Sequence, residues 1–192
     1  MAELKDSGER KQFNSGAVRD IQEGKGRCDL LPIGIAASLM PTQLQAEILS
    51  EIHNFMQYKQ DHHLFRAIQA FITYMGWDVY TALLEVSIHY EDGCIKYGER
   101  NWEKGIDLHC YINSGVRHLL KCFRGDKDEP HDRAFIWNML GAIYTFDYLD
   151  KDDINLTCHT SFDEIVPTFL ESESTSESTS SSGSGIIGAY TE

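Results

Sequence analysis

Asp78-Val79-Tyr80-Thr81-Ala82-Leu83-Leu84-Glu85-Val86-Ser87-Ile88-His89-Tyr90-Glu91-Asp92-Gly93-Cys94-Ile95-Lys96-Tyr97-Gly98 is the stretch that decides the fold class. Leu83, Val86, Tyr90 and Cys94 recur at the three- and four-residue steps of one helical face. Asp78 has the side chain of an N-cap, and Gly98 stands where a helix-ending glycine belongs. A helix over 78–97 is therefore predicted, and the same period continues on both sides of it. Upstream, Leu44, Ile48, Ile52 and Phe55 mark one helix, and Leu64, Ile68, Phe71 and Met75 mark a second that stops at Gly76. The polar break Gln60-Asp61-His62-His63 separates them. Downstream, Ile112, Val116, Leu119, Leu120 and Phe123 stripe a fourth helix over about 109–123. After the turn Gly125-Asp126-Lys127-Asp128, Pro130 suits the first turn of a fifth helix that ends near Tyr148. Period-two alternation is nearly absent, so the expectation is all-α: a compact bundle of about five helices with an irregular N-terminal Gly/Arg segment.

The 192 residues suffice for one domain and a remainder. Residues 1–14 are expected to be a flexible polar lead and 15–149 a helical domain. Residues 150–192 read as a linker and a disordered acidic tail, because 171–185 are almost entirely Ser, Thr, Glu and Gly. No apolar run approaches the roughly 18–20 residues needed to span a bilayer, and Met1-Ala2-Glu3-Leu4-Lys5-Asp6 lacks the form of a signal peptide. A cytoplasmic protein is expected. Five scattered cysteines without a C-x-x-C pair read as free thiols rather than a zinc site. The net charge of −13 excludes a duplex nucleic-acid binder, which needs a basic surface, but not a small anionic ligand.

Against that charge, two short stretches gather cations. Lys96-Tyr97-Gly98-Glu99-Arg100-Asn101-Trp102-Glu103-Lys104-Gly105 mixes bases, rings and glycines, as a ligand-contacting loop does. The N-terminal stretch Ser15-Gly16-Ala17-Val18-Arg19-Asp20, followed by Gly24-Lys25-Gly26-Arg27-Cys28-Asp29-Leu30-Leu31-Pro32, has the same character. Arg19, Lys25, Arg27, Lys96, Arg100 and Lys104 imply a local positive site, with Asn101 beside them. Tyr97 and Trp102 are candidates for stacking on a base.

Carboxylates supply the complementary chemistry, since a hard cation takes oxygen ligands and then phosphate oxygens. Glu85, His89, Asp92 and Lys96 fall within about 40° of one another around the third helix, either as metal ligands or as a solvated face of i, i+4 pairs. Glu91 lies roughly 120° away from Glu85 on the same count. Glu129 and Asp132, three residues apart, can share one ion, although acidic residues also favour helix N-termini for dipole reasons. Asn138 sits among apolar neighbours with His131 one heptad earlier, and serves either the core or a substrate. Arg117, on an edge with Asn113 and Lys121 and beside Ser114 and His118, can hold a phosphate bidentately or lie at the surface. P-loop and dinucleotide-binding glycine motifs are absent.

The two Gly/Arg segments, Arg117-His118-Leu119-Leu120 and Trp137-Asn138, in this order over roughly residues 13–148, resemble the dATP/dGTP diphosphohydrolase (MazZ-like) family. That family is encoded largely by phages and is related to the MazG-type nucleotide pyrophosphohydrolases. The resemblance implies an all-α enzyme that hydrolyses a purine deoxynucleoside triphosphate (dGTP or dATP) to the monophosphate and pyrophosphate with Mg²⁺ or Mn²⁺. It implies a homo-oligomer, metal ligands among Glu85, Glu91, Asp92, Glu129 and Asp132, and a nucleotide site that also includes His118, His131 and Asn138. Residues of about 36–80 read as a helical insertion relative to the family pattern, and the acidic spacing on the third helix departs from the MazG signature. A non-catalytic nucleotide-binding or sequestering protein is the competing reading.

Overall fold

The computed structural model describes residues 8–149. Strands β1 (Arg10–Gln12) and β2 (Val18–Asp20) form an antiparallel hairpin, with Arg10 opposite Asp20 and Gln12 opposite Val18. A 3₁₀ turn at Cys28–Leu30 leads to the short α1 (Ile33–Ala37). Then come α2 (Gln43–Tyr58), α3 (His62–Met75), α4 (Val79–Tyr97), α5 (Leu108–Arg124) and α6 (His131–Tyr144). A 3₁₀ turn at Asn101–Lys104 precedes α5, and a π-helical turn at Thr145–Leu149 carries the last helix toward the expected end. The all-α reading holds, with six helices among the described residues and a minimal hairpin. That hairpin puts Arg10–Gln12 in register with β2, although the stretch reads as loose in sequence. Three residues per strand are too few to show an alternation. The acidic serine-rich tail lies outside the described residues.

Capping chemistry fixes the helix ends. The Asp78 carboxylate accepts from the backbone N–H groups of Tyr80 and Thr81, both at 2.9 Å, which holds its pKa below the ordinary carboxylate value. Thr42 accepts from the Gln45 N–H at 3.3 Å to start α2. Gly76 ends α3 with a φ of 68°, which costs a glycine little.

One core runs through all the longer helices. Ile48, Leu49, Ile52 and Phe55 of α2 face Leu64, Ile68 and Phe71 of α3, and the Phe71 ring lies 4.5 Å from that of Phe135 in α6. The apolar faces of the expected insertion are thus covered within the chain.

The inward face of α4 differs from expectation. Ala82, Val86 and His89 are buried, whereas Leu83 is 54% exposed and Cys94 is exposed. Tyr90 is half-buried against the rings of Trp102 and Trp137. The polar side chains His89 and Lys96 turn toward the interior because a polar cavity lies there, which inverts the usual rule for an amphipathic helix.

α5 and α6 approach each other closely at two glycines. A Cβ on Gly141 would meet the Tyr111 ring, with Cζ at 2.7 Å and Cδ1 at 2.9 Å, and Tyr111 is fully buried. A Cβ on Gly115 would meet the flexible end of Met139, which can swing aside. Gly141→Ala should therefore destabilise by about 1–3 kcal/mol and Gly115→Ala by less. Urea unfolding of the two variants measures the order; equal midpoints would contradict it.

Candidate functional site: a cationic cavity under an N-terminal strap

Three stretches of chain converge on a cavity of about 280 Å³. Residues 18–25 form a strap on one side; His89, Gly93, Lys96 and Tyr97 of α4 form a second wall. Ser114, Arg117, His118 and Lys121 of α5, with Trp137 and Asn138 of α6, complete it. Asp128 and Glu129 stand where α5 turns into α6.

The strap is tied down by side-chain amides. Asn101 accepts from the Val18 N–H at 2.9 Å and donates to the Val18 carbonyl at 2.7 Å, copying one rung of a strand ladder. Asn113 accepts from the Cys28 N–H at 2.8 Å and donates to Gln22 Oε1 at 3.1 Å. Gln22 Oε1 also accepts from Arg117 at 3.2 Å, and Gln22 Nε2 donates to Ser114 Oγ at 3.2 Å. Ser15 Oγ donates to the Gly105 carbonyl at 2.6 Å. The two cation-bearing stretches singled out in the sequence are therefore neighbours in space.

Arg19 is the centre of this arrangement. The residue is only 8% exposed, and its guanidinium lies 5.2 Å from the Tyr111 ring centroid and 5.6 Å from that of Trp137 and donates from Nη2 to Asn138 Oδ1 at 2.6 Å. Asn138 in turn donates to the Ala134 carbonyl at 2.7 Å, so its oxygen is aimed at Arg19. Arg19 Nη1 is buried with no hydrogen-bond partner among the described residues. A buried charged donor left unpaired is costly, and an anion is what satisfies it.

The remaining charges agree. Five basic side chains (Arg19, Lys25, Lys96, Arg117, Lys121) line the cavity against the carboxylates of Asp20, Asp128 and Glu129. Asp20 is already shared by Lys96 at 2.6 Å and Arg10 at 2.9 Å. Burial lowers the pKa of Arg117, with the like charge of Arg19 adding to the effect, and burial likewise lowers that of Lys25. Burial also holds His118 well below its ordinary value and His89 at about 4, so both rings are neutral near pH 7. In a chain of net charge −13 this is a confined excess of positive charge.

Of the residues expected in a nucleotide site, Arg19, Lys25, Lys96, Tyr97, Asn101, Arg117, His118 and Asn138 line the cavity. His131 stands behind His118, with the two Nδ1 atoms 3.0 Å apart. Arg27 pairs with Asp29 at 2.6 Å and Arg100 with Glu103, both away from the cavity lining, as is Lys104. Trp102 packs edge-on against Tyr90 and Tyr144, anchoring its loop. Gln22, Asp20, His89, Lys121 and Asp128 also line the site; His89 was expected only as a metal ligand or solvated residue and Lys121 only as a neighbour of Arg117, and for the other three the polar character of their stretches was the one signal.

The five carboxylates expected to hold a divalent cation do not assemble. Only Glu129 lines the cavity. Glu85 is paired with Arg133, Asp132 caps the Arg133 N–H at 2.8 Å, Glu91 is exposed, and Asp92 joins no group of convergent ligand atoms among the described residues. An all-carboxylate Mg²⁺ site does not fit this arrangement.

The profile of the dATP/dGTP diphosphohydrolase N-terminal family matches residues 57–153, half of the chain. The protein belongs to that family. No curated protein and no solved structure matches it. The matched span holds α3 to α6 and with them most of the cavity, while the strap with Arg19 and Lys25 precedes it. Among the described residues no helix is long and apolar enough to cross a membrane.

Because the folded pKa of His89 lies below 6.5, the unfolded chain takes up its proton first as pH falls. Stability should therefore drop as pH is lowered from about 6.5 toward 4. His118, also lowered by burial, acts with the same sign. Urea midpoints across this range should fall less steeply for His89→Asn than for the native chain; identical slopes would place the titration elsewhere.

Proposed function

We propose that the cavity binds a purine deoxynucleoside triphosphate, dGTP or dATP, and hydrolyses it to the monophosphate and pyrophosphate. The observation that carries this reading is the buried, unsatisfied Arg19 guanidinium facing a cavity with four further bases, in a chain whose family is named for that reaction. Arg117 and Arg19 offer planar donors to phosphate oxygens, and Lys25 and Lys96 add point charges. The volume is near the lower end of the roughly 300–1,000 Å³ typical of small-ligand pockets, and it suits the polyphosphate. Trp137 and Tyr97 supply flat walls beside it.

In the reaction, water attacks the α-phosphorus, the bond to the bridging oxygen breaks, and pyrophosphate leaves. Neutral His89 is a wall group able to accept the proton of that water. The cations hold the phosphates in line and stabilise charge gathering on the leaving group. A divalent cation, Mg²⁺ or Mn²⁺ on the expectation above, would supply charge neutralisation and a more acidic water, with Glu129 the one expected ligand that stands at the cavity to hold it. The reading extends to a cytoplasmic, phage-type role in nucleotide metabolism, as the family resemblance implies.

Incubation of the full chain with dGTP and a divalent cation should release pyrophosphate and dGMP. Arg19→Met and Arg117→Met should each weaken dGTP binding about 10- to 100-fold, in line with the ~1.5–3 kcal/mol of a charge-assisted hydrogen bond. Intact bound dGTP without product would instead favour sequestration over turnover. Undiminished affinity in both variants would remove the cavity from the reading.

The same proposal includes a homo-oligomer. Tyr80, Leu83, Leu84 and Ile95 leave the outer side of α4 apolar and exposed, and Ile35 of α1 and Leu39 just beyond it are exposed as well. Such surface is what self-association covers. Light scattering on the full chain should give at least twice the single-chain mass, and Leu84→Glu with Ile95→Glu should reduce it. A single-chain mass for the unmutated protein would end this part of the proposal.

A further inference from the structure

Three donor atoms meet where α5 gives way to α6. His118 Nδ1 and His131 Nδ1 are 3.0 Å apart, and Glu129 Oε1 lies 3.7 Å from the first and 3.6 Å from the second. The point equidistant from the three lies about 2.0 Å from each, which is the bond length of an imidazole nitrogen or a carboxylate oxygen to a zinc-sized ion. All three side chains are largely buried, His131 to within 2% exposure.

Hydrogen bonding alone leaves this cluster unfinished. His131 Nε2 lies 2.7 Å from Asp128 Oδ1, so its N–H donates there and a neutral ring presents a lone pair at Nδ1. A proton on His118 Nδ1 can serve His131 Nδ1, but Glu129 Oε1 then faces both rings beyond hydrogen-bond reach. Its other cationic neighbour, Lys121, is no closer, at 3.7 Å. A single dication satisfies the three donors together. The Asp128–His131 contact supplies what metal-bound histidines usually have, a carboxylate that fixes the ring through its far nitrogen.

We infer that His118, Glu129 and His131 form a site for one first-row transition-metal dication, with Asp128 as the residue that positions His131. Two imidazoles and one carboxylate select such an ion over Mg²⁺, which takes oxygen ligands. Because His118 and Glu129 also line the cavity, a water or a phosphate oxygen can complete the coordination from that side. The neighbouring group Asp126–Asp128–His131 is a poorer candidate, since Asp126 is gripped by Arg124, with Nε at 2.7 Å. The link from metal to hydrolysis rests on the proposed function; the metal site itself does not.

The test uses full-length protein stripped with a chelator and titrated with Co²⁺ alone, read by visible absorption and by metal content after dialysis. One Co²⁺ per chain is expected, displaced by equimolar Zn²⁺ and retained in a large excess of Mg²⁺. His118→Gln and His131→Gln should abolish the signal, and Asp128→Asn should weaken binding about 10- to 100-fold. Glu129→Gln, at a partly exposed position, keeps the test valid where a histidine variant fails to fold, and circular dichroism verifies each. No uptake by the native chain, unchanged uptake in folded Glu129→Gln and Asp128→Asn, or loss instead on His109→Ala, in the separate donor group Asp107–His109–Cys110, would overturn the inference. Co²⁺ binding without dGTP turnover leaves the site and removes the proposed function; dGTP turnover with Mg²⁺ by a native chain that takes up no Co²⁺ does the reverse.

Discussion

The buried guanidinium of Arg19 is the constraint around which the molecule is arranged. It reaches the interior on a strap that the helices do not themselves require. It is held there by two aromatic faces and one amide oxygen rather than by a carboxylate. A carboxylate partner would have neutralised it. Neutral partners keep the charge available, and Nη1 has no hydrogen-bond partner among the described residues. The amide ties through Asn101, Asn113 and Gln22 make this burial possible, since each satisfies backbone or side-chain groups of the strap that would otherwise lie unpaired against the helices.

Around Arg19 the electrostatics are graded. Asp20 is spent on Lys96 and Arg10, whereas Arg117 is held by the neutral Gln22 and Ser114. Burial disfavours charge on Arg117, Lys25, His89 and His118 alike, and the like charge of neighbouring arginines adds to it. An entering polyanion would relieve the arginines and lysine, while His89 stays neutral beside it. At the far wall the donors change from nitrogen cations to His118, Glu129 and His131. The cavity thus presents anion-binding and metal-binding chemistry side by side.

The helices were legible because they follow general rules. Asp78, Gly76 and Gly98 marked ends, and the Ile48–Ile52–Phe55 and Leu64–Ile68–Phe71 faces pack as their spacing requires. α4 was misread where function overrides that rule: His89 and Lys96 turn inward to the cavity while Leu83, Leu84 and Ile95 face out. The cation-rich stretches could be seen from composition. Their meeting could not, since Val18 finds Asn101 across 83 positions and Arg19 finds Asn138 across 119. Glu129 was expected as a metal ligand and His118 and His131 as nucleotide contacts, but their meeting was hidden for the same reason. His118 and His131 sit on different helices, and only the α5–α6 turn brings Glu129 between them.

The central claim is that Arg19 presents its charge to a polyphosphate inside the cavity. Side-chain ¹⁵N–¹H spectra of the arginines, recorded with dGTP and then with deoxyguanosine, test it most directly. The Arg19 guanidinium resonances should shift and exchange more slowly with dGTP and stay unmoved with the nucleoside, which lacks phosphates. Shifts confined to Arg27 and Arg100, which lie off the cavity, or an Arg19 signal indifferent to dGTP, would contradict the account.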